Sequence, residues 1–188
     1  GQDQIVVVRA DGVEVRDFAG TGVEAKPYVV DWDASAAEKG GYDLFMLKEI
    51  AEQPKAVADA LRGRIDAEQR IQLDETALDD AVLRDITKVV VVACGTAAHA
   101  GMVAKYAIEH WTRLPVDVEL ASEFRYRDPI VGPDALVIAI SQSGETMDTL
   151  MALRHAKAQG ARTLAICNTV GSTIPRESDA VLLSLIHI

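Results

Sequence analysis

The chain has 188 residues, 49% of them hydrophobic and 26% charged, with a formal net charge of -10. That composition supports one medium globular domain plus a piece of another, and excludes a disordered or collagen-like chain. The longest apolar runs, Val89 to Cys94 and Ala135 to Ile140, fall far short of the ~18 residues that a membrane span needs. The acidic balance is densest over residues 31 to 80, where 13 Asp and Glu face 6 Lys and Arg, so the basic footprint of a nucleic-acid binder is missing. Two cysteines, Cys94 and Cys167, each close an apolar run. They read as buried thiols in a reducing, cytoplasmic setting, and not as a disulfide framework or a metal cluster.

In chain order, residues 1 to 32 alternate apolar positions with turn signals. Ile5 to Val8 and Val13 to Val15 flank Asp11-Gly12, a hairpin signature, and Tyr28-Val29-Val30 follows Thr21-Gly22. The start at Gly1 to Gln4 has neither an initiator Met nor a signal peptide, which suggests that the chain begins inside a larger protein. Past Gly40-Gly41, Tyr42, Phe45, Met46, Ile50, Val57 and Leu61 recur at helical spacing. With Pro54 inside, residues 42 to 62 read as two short helices. Leu73, Leu78, Val82, Leu83 and Ile86 suit one amphipathic helix, and a domain boundary is expected near residues 63 to 76.

From Lys88 the pattern turns regular. Strands are expected at Val89 to Val92, Val116 to Leu120, Ala135 to Ile140, Thr163 to Cys167 and Ala180 to Leu182. Helices are expected from Gly95 to Trp111 and from Thr146 to Gln159, the second stopped by Gly160. Continuous apolar strands separated by helices mean a parallel sheet covered on both faces, a three-layer, doubly wound α/β domain. With its last strand only just begun, such a sheet should continue past Ile188.

In an open α/β sheet, ligands sit where strand ends lead into helix N-termini. Three such loops are Cys94 to Ala97, Ser141 to Thr146 and Cys167 to Thr173. The second puts the hydroxyls of Ser141, Ser143 and Thr146 around Gly144 at a helix start, where an anion meets amide and hydroxyl donors together. Phosphate is the natural occupant, although Ser143 or Thr146 could serve only as helix caps. There is no Gly-Lys-Ser/Thr and no Gly-x-Gly-x-x-Gly, so a small phosphorylated metabolite fits better than a nucleotide. No metal or cofactor is called for.

Outside that loop, Cys94 reads as a packing or hydrogen-bonding residue and His99 as a helix-surface group. Glu145 stays open between an acid or base and support of a helix N-terminus. Glu123-Phe124-Arg125-Tyr126-Arg127 is a charged-aromatic cluster, read either as a solvated loop or as an interface. Arg176-Glu177-Ser178-Asp179 reads as a cap that orients the next strand, with ligand contact as the alternative.

At these loops the sequence resembles the glutamine-fructose-6-phosphate aminotransferase (isomerizing) family. The resemblance rests on Lys48-Glu49-Ile50-Ala51-Glu52-Gln53-Pro54, Ala93-Cys94-Gly95-Thr96, Glu119 to Arg127, Ser141-Gln142-Ser143-Gly144-Glu145-Thr146 and Ala165 to Asp179. The serine-rich loop by itself marks a sugar isomerase (SIS) domain, and the Lys48 to Pro54 stretch narrows it to this family. The resemblance implies that residues 1–32 end a glutaminase domain, 33–76 form a helical linker and 77–188 make up a first SIS domain. It implies that Ser141, Gln142, Ser143, Gly144 and Thr146 hold the phosphate of fructose 6-phosphate or glucosamine 6-phosphate, and that Cys94, Gly95 and Thr96 line the sugar.

Ala97 stands where the family carries a serine. The family's catalytic residues are implied to lie before Gly1 and after Ile188, which leaves no catalytic residue in this chain, and a homodimer is implied for the full-length enzyme. Residues 184 to 188 depart from the family pattern and read like a translated transposon end, so His187 is given no role. The competing reading is a SIS module that senses a phosphosugar to regulate a DNA-binding partner. Such a module should carry a helix-turn-helix ahead of the domain, where this chain is β-rich and acidic.

Overall fold

The computed structural model describes residues 3–25, 39–73, 78 and 80–184. The backbone divides into two compact units, Gly1–Ala36 and Ala37–Ile188. In the first, β1 (Gln4–Arg9) and β2 (Gly12–Asp17) form an antiparallel hairpin. Arg9 pairs with Gly12, so Ala10-Asp11 make the turn and Gly12 already belongs to β2; the turn lies one position earlier than the Asp11-Gly12 expected. A second reversal closes on the Asp17 carboxylate, which accepts from the Thr21 amide at 2.8 Å. The expected strand at Tyr28 to Val30 lies outside the described residues.

The second unit opens with α1 (Phe45–Leu61), which contains Pro54. This is one helix and not the two expected. Proline removes a single hydrogen-bond rung, the one to the Ile50 carbonyl, and Ile50 lies on an exposed stretch where water can replace it. The amphipathic helix expected from Leu73 to Ile86 is also corrected, since Leu73, Leu78 and Ile86 are not helical, and the segment before it is a tight turn. Ile65 bridges Ile71, and the Asp66 carboxylate accepts from the amides of Glu68 and Arg70 and from the side chains of Arg70 and Gln72. A side chain that binds the amides just downstream offers the backbone an alternative to helix. Only α2 (Asp80–Arg84) is helical here, and residues 74–77 and 79 lie outside the described set.

The rest alternates: β3 (Lys88–Ala93), α3 (Gly95–Thr112), β4 (Val116–Leu120), α4 (Ala121–Arg127), β5 (Ala135–Ser141), α5 (Met147–Ala158), β6 (Arg162–Cys167), α6 (Thr173–Glu177) and β7 (Ala180–Leu183). The five strands are parallel, in the order β4-β3-β5-β6-β7. Successive side chains of β3 divide between two cores. Val90 and Val92 join Phe124, Leu153 and Ile174 on one face, while Val89 and Val91 join Val116, Ile138 and Ile108 on the other. With α4, α5 and α6 on the first face and α3 on the second, this is the expected three-layer, doubly wound domain. The α3 backbone lies so close to the sheet that a Cβ on Gly101 would sit 2.7 Å from a Val91 methyl.

The two short helices α4 and α6 were not expected. Each is anchored from inside, α4 by Phe124 and α6 by Ile174, both fully buried. Phe124 meets the His155 ring edge-on at 5.9 Å. The loop reading of Glu123 to Arg127 is corrected accordingly: the segment is helical, with Ala121 and Phe124 buried and Arg125 paired with Asp148 of α5.

Candidate functional site

Because β4 and β5 flank β3 on opposite sides, the chain leaves the ends of β3 and β5 in opposite directions and opens a crevice there. The two loops at that crevice are 94–96, entering α3, and 141–146, entering α5.

Ser141 is the last residue of β5 and is buried. Its Oγ accepts the Gly144 amide at 3.1 Å and lies 3.0 Å from Thr146 Oγ1. Thr146 is the N-cap residue of α5, yet its side chain makes no capping hydrogen bond. Its hydroxyl is turned into the loop, so capping does not account for it. Ser143 Oγ accepts the Glu145 amide at 3.2 Å, and Gln142 and Ser143 are exposed at the rim. The first turn of α5 directs its amides and the positive end of its dipole at the same place. Asp148, an acid in that turn, is paired with Arg125 at 2.8 Å.

Gly144 lets the loop fold this tightly. Its φ is +65°, and a Cβ there would sit 1.9 Å from Ser172 Oγ. The segment after β6 braces the loop from beneath. The Asn168 amide donates to the Gln142 carbonyl at 3.1 Å, the Ile174 amide to the Gly144 carbonyl at 2.9 Å, and the Thr173 amide to Glu145 Oε1 at 2.7 Å. Glu145 thus supports a helix N-terminus, but that of α6 and not the α5 it precedes.

Cys94, just past β3 and the N-cap residue of α3, is half-buried, and its sulfur accepts a long hydrogen bond, 4.0 Å, from the hydroxyl of fully buried Thr149 on α5. Gly95 and Thr96 are exposed at the start of α3, and His99 is exposed one turn on. Cys167, beside Ser141 in the sheet, is buried, and burial pushes its thiol up to about 11, with the nearby Glu145 charge adding to the effect and a hydrogen bond with the Ser141 backbone opposing it. Such a thiol is no nucleophile at neutral pH.

The segment from Arg176 to Asp179 orients β7, as read from sequence. Glu177 takes a two-pronged contact from Arg154 at 2.7 and 2.6 Å, and Asp179 accepts from the amide and hydroxyl of Thr163 and from Lys157. Thr149, Ser172 and Thr173 were not singled out from sequence as parts of the site. The available signal was Gly171-Ser172-Thr173 at a third strand end, in a segment whose backbone amides brace a neighbouring loop. Among the described residues no cluster of His, Cys, Asp and Glu could hold a metal ion, and no helix is long and apolar enough to cross a membrane.

Residues 82–186 match the SIS domain family. The chain is 71% identical over 182 residues to a glutamine--fructose-6-phosphate aminotransferase [isomerizing] of Streptomyces coelicolor, covering 97% of this chain and 30% of that protein. It is 65% identical over 187 residues to the protein of the same name from Mycobacterium tuberculosis, again covering 97% of this chain and 30% of the relative. The chain therefore spans about a third of the length of these curated relatives. Among solved structures, the C-terminal domain of glucosamine-fructose-6-phosphate aminotransferase from Francisella tularensis superposes with a TM-score of 0.74 at 41% identity, over 80% of this chain and 43% of that one. A tagatose-6-phosphate ketose/aldose isomerase from Escherichia coli shares the fold, with a TM-score of 0.59 at 18% identity over 77% of this chain and 42% of the other.

Proposed function

The chain belongs to the SIS domain family, and on that premise we propose that it is the phosphosugar-binding part of a glutamine-fructose-6-phosphate aminotransferase. The whole enzyme would convert fructose 6-phosphate and glutamine into glucosamine 6-phosphate and glutamate. In this reading Ser141, Gln142, Ser143 and Thr146 hold the phosphate, Gly144 gives the loop its shape, and Cys94, Gly95 and Thr96 face the sugar. Residues 1–32 end the glutaminase domain, 33–76 form the linker and 77–188 the first SIS domain. The enzyme acts in the cytoplasm as a homodimer. Exposed Met102, Val103 and Tyr106 on α3 offer apolar surface to such a partner.

One observation carries the reading: the N-cap threonine of α5 leaves its helix uncapped and turns its hydroxyl 3.0 Å from Ser141, beside the amides of the helix start. Hydroxyl and amide donors converge there without a cationic side chain in the loop, which suits a phosphate monoester carried by a polyhydroxylated body. The loop's work is binding. A sugar anchored by its phosphate presents its carbonyl in one place, so that attack by an amine held elsewhere in the enzyme becomes effectively intramolecular. Ser143 is the cleaner test, because it lies at the exposed rim with a single long bond, from the Glu145 amide at 3.2 Å, whereas buried Ser141 joins the Gly144 amide and Thr146. Ser143→Ala should weaken glucosamine 6-phosphate binding by roughly 1 to 3 kcal/mol in a calorimetric titration, with plain phosphate as the control. Unchanged affinity would overturn the phosphate assignment.

A further inference from the structure

We infer that Glu145 is a positioning residue, a latch that holds the phosphate loop in its binding shape by fastening it to α6; the inference rests on the phosphosugar reading above.

Three contacts close a ring. Glu145 Oε1 accepts the Thr173 amide at 2.7 Å, and the carbonyl just before it, that of Gly144, accepts the Ile174 amide at 2.9 Å. At its far end α6 is tied back to α5 by the two-pronged contact of Glu177 with Arg154. Loop, α6 and α5 thus brace one another, and the Glu145 bond is the part of the ring that comes from a loop side chain. It also settles where a negative charge goes. A carboxylate one residue from the phosphate-holding amides would repel a phosphate dianion if it turned inward. Bound to the start of α6, it is held by a backbone donor and the favourable end of a helix. A carboxylate so engaged is poorly placed to shuttle a proton to a sugar, so the acid or base reading gives way to a structural one that acts through the loop.

The two roles separate under conservative substitution. Gln keeps an oxygen that can accept from Thr173 but cannot act as a base, whereas Ala removes both. Glucosamine 6-phosphate and fructose 6-phosphate are titrated into this chain and its Glu145→Ala and Glu145→Gln variants, and hydrogen exchange of the Thr173 amide is followed in each by NMR. Expected are a roughly tenfold loss of affinity and faster Thr173 exchange in Glu145→Ala, with Glu145→Gln within roughly threefold of the parent and Thr173 still protected. Unchanged affinity in Glu145→Ala overturns the latch, and so does a Gln variant as damaged as the Ala variant. If the parent chain binds neither phosphosugar, the phosphosugar reading falls, and the latch falls with it.

Discussion

The loops after β3 and β5 enter the same crevice from neighbouring strands, yet they are built on opposite plans. The loop at 141–146 is cross-braced: Ser141 holds it from within, and three amides after β6 hold it from below. Its glycine has no room for a side chain. The loop at 94–96 is open. Gly95 is left-handed as well, at φ +57°, but a Cβ there would meet nothing within 4 Å, and Thr96 is exposed. The first geometry is set by the chain's own contacts, and the second leaves space. In the proposed reading, preorganisation would then be concentrated where the ligand has a fixed shape, as a phosphate has, and relaxed where the more variable sugar body would lie.

Substitutions can break that contrast. The largest effect is expected from Gly144→Ala, which combines a left-handed backbone with a collision against Ser172. It should cost about 2–4 kcal/mol of unfolding free energy, measured by urea denaturation. Gly95→Ala meets the backbone penalty alone and should cost about 1–2 kcal/mol. If the two variants are equally destabilised, the distinction between braced and open loops fails. A smaller effect is expected at low pH. The hydrogen bond from Arg154 holds the Glu177 carboxyl below its ordinary value of 4.5. A carboxyl lowered in the folded state adds stability that is present above the ordinary value and is lost as pH falls through the lowered one. Denaturation midpoints should therefore decline below about pH 4.5, and Arg154→Met should flatten that decline if α6 is anchored as described.

Much of the fold was legible because the relevant signals were local. Four consecutive valines at 89 to 92 announce a strand buried on both faces, and the Ser141 to Thr146 motif marks a strand end opening into a helix. What escaped depended on partners distant in sequence. Nothing near Ser172 in the chain says that it will sit under Gly144. Nothing near Phe124 says that His155 will receive it. The helix expected from Leu73 to Ile86 fell short for a different reason: its apolar residues are spaced as a helix would space them, but the described backbone is helical only over Asp80–Arg84. Of the candidate site, the strand-to-helix loop at 141–146 could be read from its own residues, whereas its bracing could not.

The position of β3 bears on how the chain is made. It is first of the five parallel strands to be synthesised, yet it lies inside the sheet, paired on both edges. Its partner β5 begins about 40 residues later, a delay of roughly 2 to 8 seconds at ordinary translation rates. Through that interval Val89 to Val92 form a strand-prone apolar segment without its final neighbour, the kind of species that joins other nascent chains. Slower translation between β3 and β5 would lengthen that exposure, so for this protein codon choice across residues 94 to 134 bears on the yield of folded protein.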